Sequence, residues 1–477
     1  MRLGGLLALP ASLLPAVAPA APAPRLTHGV VVGDITATRA VLWARASKPA
    51  TMRVRLTGGP YHGITPVAAK RGRDLTAQVV LHGLRPATTY SYRILLGPSR
   101  RMAAHGRFQT APRSAAAAPV RLAFGGDLAG QNVCRDAREG FPITNTIREW
   151  NPDIFVGLGD MVYADDSCTA TGRYGNAQIP TGFGPATDLA GFLAHWRYNR
   201  ADAGLERLLA STNYVGIWDD HEIENDSGPL TAGPLLPLGL RAFLDYTPIA
   251  VARNTPGRIY RELHYGRNLD LFVLDTRQYR DANFAIDGPA APKTMLGREQ
   301  LTWLETRLAE SDATWKVVVS SVPMSIPTGF PATNGRDGWA NYDQQTGYEH
   351  ELVGLLRFLE QRGLRNLVFI TTDVHFGEGF RYTPFPDDPA FQVYELVTGP
   401  LNSGIFPNPN FDTTLNPERL FLYAPPSADA VTSWEQAKHW FNFGTLAIAR
   451  DGTMKAGVVN TAGDTVARIR LSPASSR

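Results

Sequence analysis

Four short apolar segments of the chain each end in acidic or histidine residues, and this pattern constrains the fold more than any other feature. The segments are 120–124, 154–158, 214–218 and 366–370. The polar residues that follow them are Asp127, Asp160 with Tyr163, Asp219 and Asp220 with His221, and Asp373 with His375. Continuously apolar strands are typical of a parallel sheet covered on both faces, and such sheets bind ligands beyond the carboxyl ends of their strands. The pattern therefore predicts one open α/β sheet with a metal site for hard cations at its edge.

Length and charge limit the classes of protein that need to be considered. A chain of 477 residues is too long for one ordinary core, so two domains are expected. The hydrophobic fraction of 44% is that of a globular protein and argues against disorder. A net charge of +3 over this length gives no argument for a nucleic-acid partner. We expect no nucleic-acid binding beyond a possible substrate.

The first 24 residues have the layout of a secretory signal peptide. One early arginine precedes an apolar run over 3–17, and small residues and prolines follow it. This run is too short for a stable membrane span. No later segment has eighteen consecutive apolar residues, so no transmembrane segment is expected. The prediction is an exported protein that is secreted, periplasmic or at the cell surface.

Two cysteines occur, Cys134 and Cys168, and both flank the first two polar strand ends. In an exported protein an even number of cysteines favours a disulfide. The alternative is that one of them binds a metal ion as a thiolate.

The chain divides into an all-β part and a mixed part. Residues 25–113 alternate apolar and polar residues between turns, and 80–94 resembles the corner and following strand of a fibronectin type III domain. Residues 114–119 are predicted as a linker. Residues 120–477 alternate strands with helical stretches, which indicates an α/β catalytic domain. The helical stretches are 143–150, 189–209, 297–309 and 348–362, and a β-meander is expected over 443–471.

The polar strand ends suit a pair of cations, which can clamp a phosphate oxygen, activate water and stabilise an in-line displacement. Asp160 is the candidate that bridges both ions. Asp127, Tyr163 and His375 would complete the first site, where a phenolate favours ferric iron. Asp220 and Asp373 would complete the second.

His221 follows Asp220 directly, which makes it the candidate general acid for the leaving group. Asp219 is expected to orient His221 or a metal ligand. Arg277 and Arg280 could grip phosphate oxygens. A salt bridge to Asp275 or Asp281 is the alternative for both arginines.

Four ordered motifs carry a resemblance to a known family. They are Gly-Asp-Met-Val-Tyr-Ala-Asp (159–165), Trp-Asp-Asp-His-Glu-Ile-Glu-Asn-Asp (218–226), Leu-Asp-Thr-Arg-Gln-Tyr-Arg (274–280) and Thr-Asp-Val-His (372–375). Together they resemble the alkaline phosphatase D family of metallophosphoesterases. The resemblance implies a four-layer α/β/β/α sandwich with two facing sheets, in place of the single open sheet, after a fibronectin-like N-terminal domain. It also implies a secreted phosphomonoesterase or phosphodiesterase, acting on a small phosphate ester.

By the same resemblance, the metal site would hold iron together with calcium or another divalent cation. Tyr163 and His375 would bind iron, and Asp160 would bridge. Asp220, Asn225 and Asp373 would serve the calcium side. The chain departs from the family in having Asp127 where an iron-binding cysteine is common. The alternatives are a phospholipase D-like diesterase and a catalytically inert binding module.

Overall fold

The computed structural model describes residues 22–58, 64–98, 101–250 and 255–474. Residues 1–21 of the predicted signal peptide lie outside this part of the chain. Within the described residues, none of the helices is long and apolar enough to cross a membrane.

The described residues form the following strands and helices in chain order. The strands are β1 (Leu26–Gly33), β2 (Arg39–Ala46), β3 (Ala50–Thr57), β4 (Ile64–Ala69), β5 (Thr76–His82), β6 (Thr89–Leu96), β7 (Arg101–Gln109), β8 (Val120–Gly125), β9 (Ile154–Gly157), β10 (Asn213–Gly216), β11 (Arg261–Tyr265), β12 (Leu269–Val273), β13 (Trp315–Val319), β14 (Leu367–Thr371), β15 (Gly377–Tyr382), β16 (Val393–Val397), β17 (Pro417–Tyr423), β18 (Asn442–Ile448), β19 (Met454–Asn460) and β20 (Thr465–Leu471). The helices are α1 (Pro142–Trp150), α2 (Leu189–Arg200), α3 (Ala203–Ser211), α4 (Pro229–Ala232), α5 (Leu236–Tyr246), α6 (Gly297–Glu310), α7 (Glu349–Gln361) and α8 (Trp434–Trp440).

Two large sheets face each other across an apolar core. One has the order β20-β19-β18-β8-β9-β10-β1-β2-β5 and the other β11-β12-β13-β14-β16-β15-β17. Val156 and Val215 from the first sheet and Val317 and Ile370 from the second belong to the same buried cluster. Strands β8, β9 and β10 are parallel, as are β12, β13, β14 and β16. These central strands are covered on both faces, which explains their continuous apolar sequences.

Helices cover the outer face of each large sheet, which gives the predicted α/β/β/α arrangement. Ile143 of α1, Trp196 of α2 and Phe243 of α5 pack in the cluster outside the nine-stranded sheet. Leu304 of α6 and Leu355 of α7 pack in the cluster outside the seven-stranded sheet. The expectation of one open sheet is wrong, because β8, β9 and β10 lie in one sheet and β14 in the other.

The helical stretch 189–209 is two helices instead of one. The side chain of Asp202 accepts a hydrogen bond from Leu205 N at 2.8 Å, which caps the start of α3. The other predicted helices and the terminal meander agree with α1, α6, α7 and β18–β20.

The N-terminal segment is all-β, as predicted, and its strands form two layers. Strands β1, β2 and β5 face the four-stranded sheet β4-β3-β6-β7 across a core that includes Leu42, Val79 and Ile94. Tyr90 is buried near the start of β6, and its hydroxyl accepts a hydrogen bond from Arg85 N, in the turn before this strand, at 2.8 Å. The likeness to a fibronectin type III domain and the domain limits stay predictions.

The N-terminal layers are joined to the rest of the chain through the nine-stranded sheet itself. Strand β1 pairs in parallel with β10, with Val32 opposite Asn213. Asp74 accepts a hydrogen bond from Arg197 of α2 at 2.8 Å and another from the Tyr246 hydroxyl. Burial alone would raise the pKa of Asp74, but hydrogen bonds from Arg45, Tyr246 and Arg197 outweigh it and lower the pKa below 3.8. The Asp74 carboxylate therefore stabilises this junction in its ionised form.

The Asp74→Asn variant tests the contribution of this junction to stability. We expect the free energy of unfolding at pH 7 to fall by about 2 kcal/mol, the size typical of charge-assisted hydrogen bonds. A lowered pKa in the folded state stabilises above the unfolded pKa, so the difference from the native protein should disappear as the pH falls below 3.8. Urea unfolding at several pH values measures it. Asp312→Asn, at an exposed position, is the control, and an equal loss in both variants would contradict the assignment.

Candidate metal centre

The predicted ligands meet where the ends of β8, β9, β10 and β14 approach one another. Ligand atoms of Asp127, Asp160 and His375 all lie within 4.8 Å of one another. Those of Asp160, Asp219, Asp220 and Asp373 form a second group with the same spacing. Asp160 belongs to both groups, which is the position required of a bridging carboxylate.

Unusual backbone conformations aim these side chains at a common point. Asp127, Asp160, Asp373 and His375 have φ values of +61°, +50°, +80° and +64°. Non-glycine residues adopt this left-handed region at an energetic cost, and such strain concentrates at functional sites. Gly399 leaves the room that Asp127 needs, because a Cβ atom there would lie 2.2 Å from Asp127 Oδ2.

A buried glutamate that sequence reasoning assigned no role holds two of the strand ends together. The carboxylate of Glu222 accepts hydrogen bonds from the backbone N–H groups of Asp160, Met161 and Asp219 at 2.9, 2.9 and 2.8 Å. The Trp-Asp-Asp-His-Glu sequence placed this acid beside the site but gave no sign that it binds backbone instead of metal. Glu222 therefore positions Asp160 and Asp219.

His375 is fixed in the form that a metal ligand requires. Its Nδ1 lies 2.6 Å from the carbonyl oxygen of Gly404, to which it donates, and 3.0 Å from Ser403 Oγ. Nε2 is then unprotonated and lies 3.2 Å from the Tyr163 hydroxyl. Burial lowers the pKa of His375 to about 4, which keeps the imidazole neutral. Both Tyr163 and His375 thus direct polar atoms toward Asp127 and Asp160.

The acidic cluster carries more negative charge than its surroundings balance. Burial, together with the neighbouring carboxylates, raises the pKa of Asp127 to about 8 and the pKa values of Asp160 and Asp373 well above their usual range. Within the described residues, buried oxygens of Asp127, Asp160, Asp219 and Asp373 have no hydrogen-bond partner. Cations coordinated by these oxygens would relieve both conditions, so the residues present fit a multinuclear metal site.

His221 lies beside the carboxylates and is held by a residue with no earlier assignment. Its Nδ1 lies 2.8 and 2.9 Å from the two carboxylate oxygens of Asp165. Burial alone would lower the pKa of His221, but Asp165 and Asp220 outweigh it and raise the pKa to about 10. The first aspartate of Tyr-Ala-Asp-Asp (163–166) was the sequence signal for this pair, which keeps His221 protonated and oriented.

The site opens into a cavity of about 210 Å³. Apolar side chains line this cavity together with the acidic groups. Two of them, Phe330 and Phe406, are 61% and 37% exposed. The lining residues are Gln131, Asp220, His221, Asn225, Asp226, Pro327, Thr328, Gly329, Phe330, Asp373, Val374, His375, Phe376, Phe406 and Asn408. Among the residues described, neither lysine nor arginine lines this cavity.

The structure does not support the prediction that Arg277 grips phosphate. Arg277 is fully buried, and its guanidinium binds Asp219 at 2.6 Å and both oxygens of Asp337 at 2.8 and 2.7 Å. Arg280 also binds Asp337, at 2.6 Å. The predicted salt bridges to Asp275 and Asp281 are also wrong, because the guanidinium groups of both arginines bind Asp337. Asp337 lies in a distant loop, which sequence spacing could not reveal. Arg277 instead balances the charge of Asp219 from behind the site.

Asn225 lies at the cavity wall, and its role as a ligand of the second cation stays a prediction. Its backbone N–H donates to Asp165 at 2.8 Å. Asp226, missed by sequence reasoning, groups with Asp220 and Asp337 within 4.8 Å. Cys134 and Cys168 form a disulfide with Cα atoms 6.0 Å apart, so neither sulfur is a free thiolate.

The four-layer sandwich and the convergent carboxylate and imidazole groups define the metallophosphoesterase class. The family model described as "PhoD-like phosphatase" matches residues 124–433, and that described as "PhoD-like phosphatase, N-terminal domain" matches residues 12–112. The chain therefore belongs to the PhoD-like phosphatase family, as the four motifs predicted.

Individual relatives agree with this assignment. The chain is 26% identical over 393 residues to "Alkaline phosphatase D" of Bacillus subtilis (strain 168). That match covers 73% of this chain and spans 64% of the relative.

Two solved structures share the fold. One described as "Structure of PhoD" superposes with a TM-score of 0.72 at 20% identity, covering 96% of this chain and 94% of that one. A purple acid phosphatase, PPD1, from yellow lupin (Lupinus luteus) seeds superposes with a TM-score of 0.61 at 14% identity, covering 94% and 74%.

The Asp160→Asn variant tests whether the acidic cluster needs cations. We expect purified protein to retain less than half of the native metal content after dialysis, because Asp160 belongs to both ligand groups. In the presence of a chelator the variant should melt higher than the native protein, by about 2 °C, because one buried like charge is gone. Elemental analysis and thermal melting measure the two effects.

The control for this experiment is Asp429→Asn, which removes a carboxylate from an exposed position. It should leave metal content and both melting temperatures unchanged. Full metal retention by Asp160→Asn would contradict the central place of Asp160.

Proposed function

We propose that the protein is a secreted, metal-dependent phosphoesterase that hydrolyses phosphate monoesters at a site for at least two cations. The observation that carries this proposal is the position of Asp160, which belongs to both groups of convergent ligands and has a buried oxygen without a partner. Membership of the PhoD-like phosphatase family supports it.

The donor types suggest which cation each group takes. Asp127, Asp160, Tyr163 and His375 combine carboxylate, phenol and imidazole donors, a set that suits ferric iron. Asp220, Asn225 and Asp373, with Asp160, offer oxygens alone, which suits calcium or another divalent cation. When bound, such ions supply Lewis-acid stabilisation of a phosphate oxygen and lower the pKa of water.

His221 is the proton donor in this proposal. It lines the cavity, and the Asp165 carboxylate orients its ring through Nδ1. Nε2 is left to deliver a proton to the oxygen of the departing alcohol, which prevents a charge from building on that oxygen. Asp165 and Arg277 act indirectly, the first by holding His221 and the second by balancing Asp219.

The walls of the cavity indicate how the organic part of the substrate is held. The exposed rings of Phe330 and Phe406 offer apolar surface beside the acidic groups. One observation favours diesters as the second candidate substrate: the cavity presents no arginine or lysine to a dianionic monoester. A diester carries one negative charge and depends less on such groups.

Comparison of p-nitrophenyl phosphate with bis(p-nitrophenyl) phosphate separates the two substrate classes. The proposal predicts a kcat/KM for the monoester at least tenfold above that for the diester, in protein supplied with iron and calcium. The reverse ratio would assign the protein as a diesterase. No turnover of either ester by metal-loaded protein would favour the inert binding module.

The His221→Asn variant tests the proton donor. Loss of a general acid lowers kcat by about 10²–10⁴-fold, while metal content should stay at the native level because the ligands remain. The loss should be smaller for an ester whose leaving group needs no proton, so p-nitrophenyl phosphate should suffer less than an alkyl phosphate.

His82→Asn, at an exposed position of the N-terminal segment, is the matched control and should leave both rates unchanged. An equal loss for both esters in His221→Asn would indicate a structural role for His221.

Export is part of the proposal. The disulfide between Cys134 and Cys168 supports it, because disulfides persist in oxidising compartments.

A further inference from the structure

The ring of Phe406 forms part of the cavity wall at the metal centre, and an arginine lies against that ring. Phe406 lines the cavity, and its side chain is partly exposed. The guanidinium carbon of Arg173 lies 5.1 Å from the centre of the Phe406 ring. The imidazole of His375 lies 5.1 Å from the same ring. Phe406 therefore connects the candidate ligand His375 to a positive charge at the edge of the cavity.

The charge of Arg173 is not balanced by the protein. Its side chain is exposed and forms no ion pair with any residue that the structure describes. Arg336 offers a contrast, because it also lies against a ring of the cavity wall, that of Phe330, at 5.4 Å. Arg336 is buried, and its guanidinium pairs with Asp343. Arg173 is thus available to a ligand in a way that Arg336 is not.

The backbone that carries Arg173 is held in place by other loops of the site. The N–H group of Arg173 donates a hydrogen bond to the carbonyl oxygen of Asn132 at 2.8 Å. The neighbouring Tyr174 is buried, and its hydroxyl accepts a hydrogen bond from Ile405 N at 3.1 Å. Ile405 directly precedes Phe406, so the arginine and the ring beneath it are tied together. A cation on a fixed backbone loses less conformational freedom when it binds a ligand.

The charges at the cavity indicate which ligand group suits Arg173. The ionisable side chains that line the cavity are Asp220, His221, Asp226, Asp373 and His375. A guanidinium and a carboxylate carry one charge each and form two parallel hydrogen bonds. A second phosphate group would bring more negative charge towards the aspartates than one arginine balances. A carboxylate is therefore the better match.

The ring of Phe406 also indicates the size of the substrate. This one ring spans the interval between the imidazole of His375 and the guanidinium of Arg173. A substrate of similar width that lies against Phe406 would cover the same interval. Its phosphate would then reach the metal centre while a carboxylate at its far end reached Arg173.

We propose that Arg173 selects phosphate monoesters whose leaving group carries a carboxylate, by binding that carboxylate beside Phe406. This selection rests on the proposed phosphoesterase function and concerns the same cavity. Arg173 is a specificity-determining residue, because the bond to phosphorus is broken at the metal centre and not at the guanidinium.

Hydrolysis of 4-carboxyphenyl phosphate and 4-carbamoylphenyl phosphate tests this, on the complete protein supplied with iron and calcium. The two esters have nearly the same shape, and only the first has a charged leaving group. Arg173→Gln should lower kcat/KM for the carboxylate ester about tenfold through a higher KM, because the lost contact exists in the bound substrate and in the transition state. kcat/KM for the carbamoyl ester should change less than twofold. Arg173→Lys should restore most of the loss, because the charge remains.

The matched control is Arg138→Gln, which removes an exposed arginine from the loop before α1 and should change neither ester. An equal loss in this control would overturn the proposal, because the preference would then follow net charge. A loss in Arg173→Gln that both esters share would also overturn it, since Arg173 would then act without regard to the carboxylate.

Two phosphonates that the protein cannot hydrolyse separate a failure of this proposal from a failure of the proposed function. Isothermal titration of the native protein should give a Kd for 4-carboxybenzylphosphonate about tenfold below that for 4-carbamoylbenzylphosphonate, and Arg173→Gln should remove the difference. If neither ester is hydrolysed, the proposed function fails, whereas the titration still decides the role of Arg173. Equal affinity for the two phosphonates, or no binding of either, would contradict that role.

Discussion

Mutual repulsion among buried carboxylates is the constraint on which the metal centre depends. Asp127, Asp160, Asp219 and Asp220 are buried, and the partly buried Asp373 lies beside them at the cavity. Of these five, Asp219 pairs with the fully buried Arg277 at 2.6 Å, and Asp220 lies 3.8 Å from the same guanidinium. The remaining charge is unfavourable for the protein by itself, and this same property suits the site to cations. The cluster of carboxylates therefore lowers the free energy of unfolding of the metal-free protein at the place where the chemistry requires charge.

The two-sheet architecture is what makes such a concentration of charge possible. Strands β8, β9 and β10 deliver their ligands from one sheet, and β14 delivers Asp373 and His375 from the other. Strained turns and the Glu222 carboxylate then fix the directions of the side chains. The N-terminal strands extend the first sheet beyond β10, so the N-terminal segment and the metal centre share one continuous sheet.

The sequence predicted which side chains come together, because each follows an apolar strand, a local pattern that the chain displays directly. Convergence of Asp127, Asp160 and His375 could be expected from that pattern, but their placement in two sheets came from the family resemblance. Partners that lie far apart in the chain could not be predicted. The burial of Arg277 against Asp337 depends on a loop 60 residues away, which no spacing reveals.

Anomalous diffraction from crystals of the native protein tests the central claim most directly. The account predicts at least two cation peaks sharing Asp160, one of them contacted by Asp127, Tyr163 and His375 and the other by Asp220 and Asp373, at about 2.0–2.6 Å from the ligand oxygens. An iron-edge signal should be confined to the first peak. Crystals grown with iron and calcium that showed the carboxylates in place but no cation between them would contradict it.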